Sequence, residues 1–161
     1  MKALVQRVKW ARVVVDGKTV GEIGPGLLTL LGVGAGDSDG DVVRIIGKVA
    51  KLRIFEDADG KMNRSLLDLG PEGAHLLVSQ FTLYAETAKG NRPSFVSAAK
   101  PEVAKALFGR AIEVSRSLGL RTETGTFQTH MEVSLLNDGP VTLMLDSNAA
   151  GTADKVADTN E

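Results

Sequence analysis

The chain has 161 residues, 43% of them hydrophobic, which suits one domain with a real core. Its 19 Lys and Arg residues nearly balance 20 Asp and Glu residues, and the net charge of -1 argues against a protein that coats long nucleic acids. The absence of cysteine excludes disulfides, thiolate metal ligands and a cysteine nucleophile. Neither a signal peptide nor a membrane span is visible, so we expect a cytoplasmic protein.

The first segments of the chain predict a β-meander. Residues 2–8 and 11–15 are rich in β-branched side chains, and Asp16-Gly17 favours a tight hairpin into residues 19–23. Residues 27–33 are apolar on both faces and bounded by glycines, which predicts a buried strand. We expect these strands to pair with one another.

Two helices and a central strand follow. Asp37-Ser38-Asp39 is a helix-start sequence, and apolar residues then recur at helical spacing. Residues 75–83 predict a central strand, and a polar loop, 86–93, comes after it. A second helix should begin at Pro101 and end at Gly119.

The last part of the chain returns to strands, predicted at residues 121–124, 130–136 and 141–146. The order of elements predicts an α+β fold with a largely antiparallel, barrel-like sheet and two main helices. We expect a single domain over residues 1–146 and a disordered tail over 147–161, which is small and polar.

Two generic motifs are better explained as turns. The segment Gly32-Val33-Gly34-Ala35-Gly36-Asp37 lies between a strand and a helix, but the third glycine of a dinucleotide fingerprint would fall on Asp37. Asp57-Ala58-Asp59-Gly60 begins like a calcium loop, yet Lys61 and Met62 occupy positions that need an oxygen ligand and a glycine. We therefore expect no metal and no cofactor.

Polar residues in the central strand mark a candidate site. His75 and His130 are the two histidines, and neither has metal-ligand spacing, so both are interpreted as ordinary surface or core histidines. Ser79-Gln80-Phe81-Thr82-Leu83 is unusual for a buried strand unless its polar atoms face a cleft or cap the strand end. Asn137-Asp138-Gly139-Pro140 fits a hairpin turn, and its X-Pro bond can be cis or trans.

Taken together, short sequences spread over residues 1–145 resemble the bacterial D-aminoacyl-tRNA deacylase family. Each is weakly specific alone, whereas their shared order along the chain is highly specific. They are Gln6-Arg7-Val8, Gly21-Glu22-Ile23-Gly24, residues 53–63, Ser79-Gln80-Phe81-Thr82-Leu83, Arg92-Pro93-Ser94-Phe95, Thr124-Gly125-Thr126-Phe127 and Asn137-Asp138-Gly139-Pro140-Val141-Thr142.

This resemblance implies a homodimer that hydrolyses D-aminoacyl-tRNA and mischarged glycyl-tRNA as translational proofreading. In the family a cis Gly-Pro bond, here Gly139-Pro140, reaches into the partner's pocket, where its carbonyls hold the substrate amino group and exclude an L side chain. Arg7 would brace this segment, although an ordinary strand-edge cation is the alternative.

The same resemblance assigns catalysis to Ser79, Gln80, Phe81 and Thr82, which would face the terminal adenosine and the ester. Their backbone N–H groups would stabilise the oxyanion, while Thr82 orients the substrate and the tRNA 2'-hydroxyl assists water. A threonine nucleophile is the alternative. Phe127 and Met131 fall on pocket positions of the family, and a core role explains them equally well.

The tRNA 3' end is the expected partner, and no membrane is implied. Lys89, Arg92 and Lys100 could contact its phosphates or simply be solvated. Two other functions fit parts of the sequence: a nucleic-acid-binding dimer without activity, and a general esterase that uses Thr82 or Ser79.

Overall fold

Hydrophobic alternation produces one long N-terminal strand around which the sheet is built. The computed structural model of the protein describes residues 1–149. In chain order its strands and helices are β1 (Lys2–Val15), β2 (Lys18–Ile23), β3 (Gly26–Gly32), α1 (Asp39–Lys51), β4 (Phe55–Glu56), β5 (Met62–Arg64), a 3-10 helix (Leu67–Glu72), β6 (Ala74–Ser79), a second 3-10 helix (Phe81–Tyr84), α2 (Pro101–Ser117), β7 (Arg121–Thr124) and β8 (Glu132–Asp146).

The strand β1 pairs antiparallel with β2, β3 and β8. The two runs predicted at 2–8 and 11–15 therefore join into one strand. Asp16 and Gly17 have φ values of 48° and 73°, which gives the predicted tight hairpin between β1 and β2. The strand β6 pairs parallel with β3, and β7 pairs parallel with β6, so the sheet order is β2-β1-β3-β6-β7.

The α+β class is confirmed, and the helices explain the parallel pairings. A parallel pair needs a crossover connection. The chain between β3 and β6 includes α1, and the chain between β6 and β7 includes α2. Both helices contribute buried side chains to one core with β1 and β3. That packing face positions the ends of β3 and β6 beside the start of α2.

Local end signals set both helices. Ser38 precedes α1, and its backbone N–H donates to the Asp41 carboxylate at 2.8 Å, as in a capping box. Pro101 opens α2, and Gly119, with φ of 84°, follows its end. These boundaries confirm both predicted helix starts and the predicted end of α2 before Gly119.

Two predicted strand boundaries were wrong. The strand predicted over 75–83 ends at Ser79, because the chain turns at Gln80 (φ -146°, ψ 80°) into the 3-10 helix Phe81–Tyr84. The segments predicted as separate strands at 130–136 and 141–146 form the single strand β8, so that the predicted hairpin turn between them is wrong. Pairing with β1 continues on both sides of this segment.

Only the start of the predicted tail, 147–161, belongs to the described residues. Ser147 is buried, and its hydroxyl accepts a hydrogen bond of 2.7 Å from the Met1 amino group. Residues 150–161 lie outside the described part of the chain. Within residues 1–149, neither helix has the length and apolar character needed to cross a membrane.

Candidate functional site

A cavity of about 500 Å³ opens where β3 and β6 end. Five of the residues singled out from the sequence line it, namely Ser79, Gln80, Phe81, Phe127 and Met131. Its other walls are mostly apolar or aromatic and include Leu31, Val33, Val78, Phe95, Ala99, Ala104 and Phe108. The cavity therefore suits a ligand with a flat apolar part and few polar contacts.

Aromatic side chains form two sides of the cavity. Phe81, 58% exposed, meets Phe95 edge to face, with ring centroids 5.0 Å apart. Phe127 lies 6.1 Å from Phe108 and packs on the core as well as lining the cavity. Phe127 therefore belongs both to the cavity wall and to the core, which are the two alternatives that the sequence left open. Exposed aromatic rings at a cavity mouth are suited to stack on a planar ligand.

The 3-10 helix Phe81–Tyr84, called the site helix below, presents unused backbone donors. The Gln80 N–H is already bonded to the Leu31 carbonyl at 2.9 Å. Phe81 and Thr82 open the helix, so their N–H groups have no acceptor within it. Among the described residues, no other backbone acceptor is found for them. Two adjacent donors at a cavity mouth can bind a developing negative charge.

The Thr82 side chain is not arranged as an activated nucleophile. Its hydroxyl accepts a hydrogen bond from the Gln80 side-chain amide, which has no basic nitrogen to take up a proton. Within residues 1–149, no carboxylate or imidazole is hydrogen-bonded to Thr82. Thr82 also does not line the cavity, although its neighbours Gln80 and Phe81 do. An orienting role fits this geometry better than covalent catalysis.

His75 is completely buried and does not line the cavity. Its Nδ1 lies 2.8 Å from the Ser115 hydroxyl and its Nε2 lies 2.8 Å from the Thr29 hydroxyl. Thr122 donates to the Leu120 carbonyl, so Ser115 must donate to Thr122 and accept from Nδ1–H. Nε2 is then the acceptor. Burial lowers the pKa of His75 to about 4, and the interpretation of this residue as a core histidine is confirmed.

The Gly139-Pro140 segment is a bulge in β8. Gln6 pairs with Thr142 and Val8 pairs with Asn137, so one residue of β1 faces four unpaired residues of β8. The Asn137 side chain closes the bulge, accepting from the Val141 N–H at 2.8 Å. The peptide bond between Gly139 and Pro140 is cis. The backbone of residues 138–141 therefore projects from the sheet instead of pairing within it.

Arg7, the residue opposite the bulge, holds its base. Its Nε donates to the Asp138 carbonyl at 2.8 Å, and its Nη1 donates to the Ile54 carbonyl at 2.6 Å. Arg7 is 6% exposed, and of these charge-assisted hydrogen bonds the one to Ile54 is buried and the one to Asp138 is partly buried. The position is that of a brace between the bulge and the chain leading into β4, and not that of a strand-edge cation.

The predicted residues fall into two groups that one chain does not bring together. Ser79, Gln80, Phe81, Phe127 and Met131 surround the cavity, whereas Arg7, Gly139 and Pro140 belong to the bulge and are absent from its walls. Both groups are connected through β8, because the chain runs from Met131 on the cavity wall directly into this strand.

Some cavity residues escaped the sequence analysis. His130 was interpreted as an ordinary surface or core histidine, and it is exposed on the cavity wall. Gln128, also on the wall, has φ of 57°, a conformation that non-glycine residues rarely adopt. Lys100 is exposed between the lining residues Ala99 and Pro101. Lys100 was named from the sequence as a cation that could contact phosphates, but nothing in the sequence placed it beside the cavity.

Metal-ligating clusters are absent from the described part of the chain: residues 1–149 contain no group of three or more His, Asp or Glu side chains placed to hold an ion. The turn at Asp57 uses its carboxylate locally, accepting from the N–H groups of Asp59 at 2.9 Å and Lys61 at 3.0 Å. The interpretation of this segment as a turn is confirmed.

Known proteins share both the sequence and this architecture. A family described as D-Tyr-tRNA(Tyr) deacylase matches residues 4–146. A protein named D-aminoacyl-tRNA deacylase from Desulfitobacterium hafniense (strain DSM 10664 / DCB-2) is 55% identical over 147 residues, which cover 91% of this chain and 97% of the relative. A protein of the same name from Chloroherpeton thalassium is 57% identical over 148 residues, with 91% and 96% covered.

Solved structures extend the comparison to the fold. One, described as c-Myc DNA Unwinding Element Binding Protein, has a TM-score of 0.86 and 38% identity, and the match covers 92% of this chain and all of that one. Another, of a probable eukaryotic D-amino acid tRNA deacylase, has a TM-score of 0.75 at 20% identity, which supports the fold alone. By sequence, cavity and architecture, the chain belongs to the D-aminoacyl-tRNA deacylase family of hydrolases.

Proposed function

We propose that this protein hydrolyses the ester of D-aminoacyl-tRNA in the cytoplasm and releases free tRNA and a D-amino acid. The observation that carries the proposal is the site helix, whose two unused N–H groups belong to Phe81 on the wall of an apolar, aromatic cavity and to its neighbour Thr82. Membership of the deacylase family supplies the substrate class. Each element of the site then has a chemical task.

The cavity receives the terminal adenosine of the tRNA. Phe81 and Phe95 offer ring faces and edges to the base, and stacking on an aromatic side chain contributes about 1–3 kcal/mol per base. The mostly apolar walls exclude water from the neighbourhood of the ester. Only the last nucleotide needs to enter, which agrees with a net charge of -1.

The N–H groups of Phe81 and Thr82 stabilise the oxyanion that forms when water attacks the ester carbonyl. Removing one such donor typically lowers a rate by about two to three orders of magnitude. Within residues 1–149 no carboxylate or imidazole is hydrogen-bonded to Thr82, and the tRNA 2'-hydroxyl beside the ester therefore assists the water. Thr82 and Gln80 orient the reacting group.

The bulge at residues 138–141 selects the enantiomer across a dimer interface. Its backbone carbonyls hold the α-amino group of a substrate in the partner's cavity and leave no space for an L side chain. Glycine has no side chain to reject, and glycyl-tRNA is consequently also a substrate. Arg7 supports the selection by fixing the Asp138 carbonyl at the base of the bulge.

The exposure of β8 supports a homodimer. All fifteen residues of this largely apolar strand remain exposed or half-buried in a single chain. Trp10, Val133, Leu136 and Met144, on β1 and β8, are each between 37% and 54% exposed. An apolar strand of this length is normally covered by another element or another chain. A second copy would bring its bulge to the cavity that this chain leaves open.

Exposed cations in and after the loop that follows the site helix supply the remaining contacts with RNA. Lys89, Arg92 and Lys100 are exposed, and no acidic partner is found for them among residues 1–149. Three unpaired charges suffice for the phosphates of a short single-stranded end. A general electrostatic surface for the whole tRNA is not required.

The deciding experiment compares hydrolysis of D-Tyr-tRNA and L-Tyr-tRNA by purified protein. Cleavage of the D ester alone is the expected result. A substrate lacking the terminal 2'-hydroxyl should react far more slowly, whereas Thr82→Ala should lower the rate without abolishing it. Thr19→Ala, an exposed threonine of β2, is the matched control. Normal turnover without the 2'-hydroxyl, together with an inactive Thr82→Ala variant, would instead establish a threonine esterase.

A second function, nucleic-acid binding without hydrolysis, has one specific observation in its favour. The relative described as c-Myc DNA Unwinding Element Binding Protein is 38% identical and covers nearly all of the chain. Binding of a single-stranded oligonucleotide with no cleavage of either tyrosyl ester would select this function over the deacylase.

A further inference from the structure

The site helix rests directly on backbone at the end of β3. Gly32 and Gly34 are buried and lie two residues apart in extended chain, so both face the same side. A Cβ added to Gly32 would lie 3.0 Å from the Gln80 carbonyl oxygen and 3.2 Å from the Leu83 Cβ. A Cβ on Gly34 would lie 2.6 Å from the Tyr84 hydroxyl. No side chain separates the site helix from this backbone.

Space, and not backbone conformation, requires glycine at these two positions. In the same segment Gly36 has φ of 88°, which itself favours glycine, and an added Cβ there would meet nothing. Gly32 and Gly34 do not adopt positive φ, so another residue could adopt their backbone conformations. The turn interpretation of the motif therefore explains Gly36 and leaves Gly32 and Gly34 unexplained.

Asp37 fixes the far end of the segment. Its carboxylate, 5% exposed, accepts from the Gly34 N–H at 2.6 Å and from the Met1 amino group at 2.7 Å. The Tyr84 hydroxyl lies 3.5 Å from the same carboxylate, and the Lys2 ammonium is 4.8 Å from the centre of the Tyr84 ring. Tyr84, the last residue of the site helix, is thus held from several directions.

We propose that residues 32–37 are a positioning segment, the helix seat, which sets where the site helix presents the N–H groups of Phe81 and Thr82. This inference rests on the proposed role of those N–H groups. Oxyanion stabilisation depends on donor placement within a few tenths of an ångström. A methyl group at Gly34 must displace either the Tyr84 ring or the site helix. Either displacement breaks contacts that hold the end of the helix.

The test is a double-mutant cycle with D-Tyr-tRNA hydrolysis as the readout. Gly34→Ala should lower kcat by about tenfold or more with little change in KM, because the cavity walls remain intact. Tyr84→Ala, at a half-buried position, should lower kcat by a smaller factor. The double variant should match Tyr84→Ala, since the three atoms nearest to the added methyl group all belong to the Tyr84 side chain. Gly47→Ala is the control, because an added Cβ in α1 contacts nothing.

Amide NMR shifts of Phe81 and Thr82 give a second readout that does not depend on turnover. Gly34→Ala should move both resonances, and the added Tyr84→Ala substitution should return them to those of Tyr84→Ala alone. Unchanged kcat and unchanged shifts in Gly34→Ala would overturn the helix seat. So would a loss of kcat that Tyr84→Ala does not relieve.

The two proposals fail in different ways. A wild-type protein that cleaves no ester contradicts the proposed function. In that case the amide NMR shifts of Phe81 and Thr82 are the only test of the helix seat. An active wild type with an equally active Gly34→Ala contradicts the helix seat alone. If Gly34→Ala does not fold, Tyr84→Ala still tests the inference, because wild-type kcat and shifts in that variant would show that the site helix needs no support there.

Discussion

Acidification should destabilise the protein through His75 well before its carboxylates respond. The ordinary pKa of this histidine is 6.5, and burial lowers it to about 4 in the folded protein. As the pH falls, the unfolded chain takes up the proton first. The stabilising effect of the neutral, buried ring is therefore complete above pH 6.5, is lost between pH 6.5 and 4, and falls no further below that.

The size of the effect follows from the two pKa values. Each pH unit inside the window costs up to about 1.4 kcal/mol, and integration from pH 7 to pH 5 gives a loss of about 2 kcal/mol in the free energy of unfolding. Asp41, Asp57 and Asp68 have pKa values lowered from 3.8 by hydrogen bonds, chiefly from Ser38, Asn63 and Ser65 respectively. Their contributions are lost only near and below pH 4, outside this interval.

Urea unfolding at pH 7 and pH 5, at one protein concentration, measures this loss. A His75→Gln variant should be less stable at pH 7 but should show little change between the two pH values. His130→Gln is the matched control, because His130 is exposed and should leave the wild-type pH dependence in place. If His75→Gln retains the full loss of about 2 kcal/mol, the buried histidine is not its origin.

Three further substitutions test the support of the bulge by Arg7, the ion pair between Met1 and Asp37, and the charge of Lys100 beside the cavity. Arg7→Met should lower the free energy of unfolding by about 3 kcal/mol and reduce discrimination between D and L esters, because the Asp138 carbonyl loses its charged donor. Asp37→Ala should cost about 3 kcal/mol or more in urea unfolding, because the buried Met1 amino group loses its charged partner and keeps only the Ser147 hydroxyl. Lys100→Glu should lower kcat/KM at low salt, with the difference shrinking as salt is added.

Matched exposed residues serve as controls for these variants. Arg12→Met removes an exposed pair with Glu22, and it should change stability by less than about 1 kcal/mol. Asp39→Ala removes the exposed partner of Arg110, with a similarly small effect. Lys18→Glu changes the same charge on β2, outside the cavity walls, and should leave kcat/KM unaltered. Equal effects in test and control variants would contradict all three assignments.

Helix boundaries were predictable because their signals are local. Ser38, Pro101 and Gly119 each act on residues within one turn, and a sequence shows such neighbours directly. The end of β6 was not predictable in this way. Ser79 to Leu83 has the composition of a strand, but packing of the site helix on Gly32 and Gly34 stops the strand at Ser79. That contact joins segments nearly fifty residues apart.

The residues of the candidate site also differ in whether the sequence alone could predict them. The resemblance to a family supplied Ser79 to Thr82, Phe127 and Met131, and five of these residues line one cavity in the folded chain. The hydrogen bond from Arg7 to Asp138 joins positions 131 residues apart, beyond any local pattern. His130 gave no signal because a single exposed histidine looks the same wherever it lies.

In the proposed function, the bulge in β8 separates chiral selection from the pairing of the sheet. Strand pairing with β1 resumes on both sides of residues 138–141, at Asn137 and at Thr142, so the sheet does not depend on the identity of the projecting backbone. A change in this segment can therefore leave the register of β8 intact, whereas an insertion in a regular strand would turn every later side chain to the opposite face. We therefore expect that the sequence of the bulge can be exchanged while the pairing of β8 with β1 stays the same.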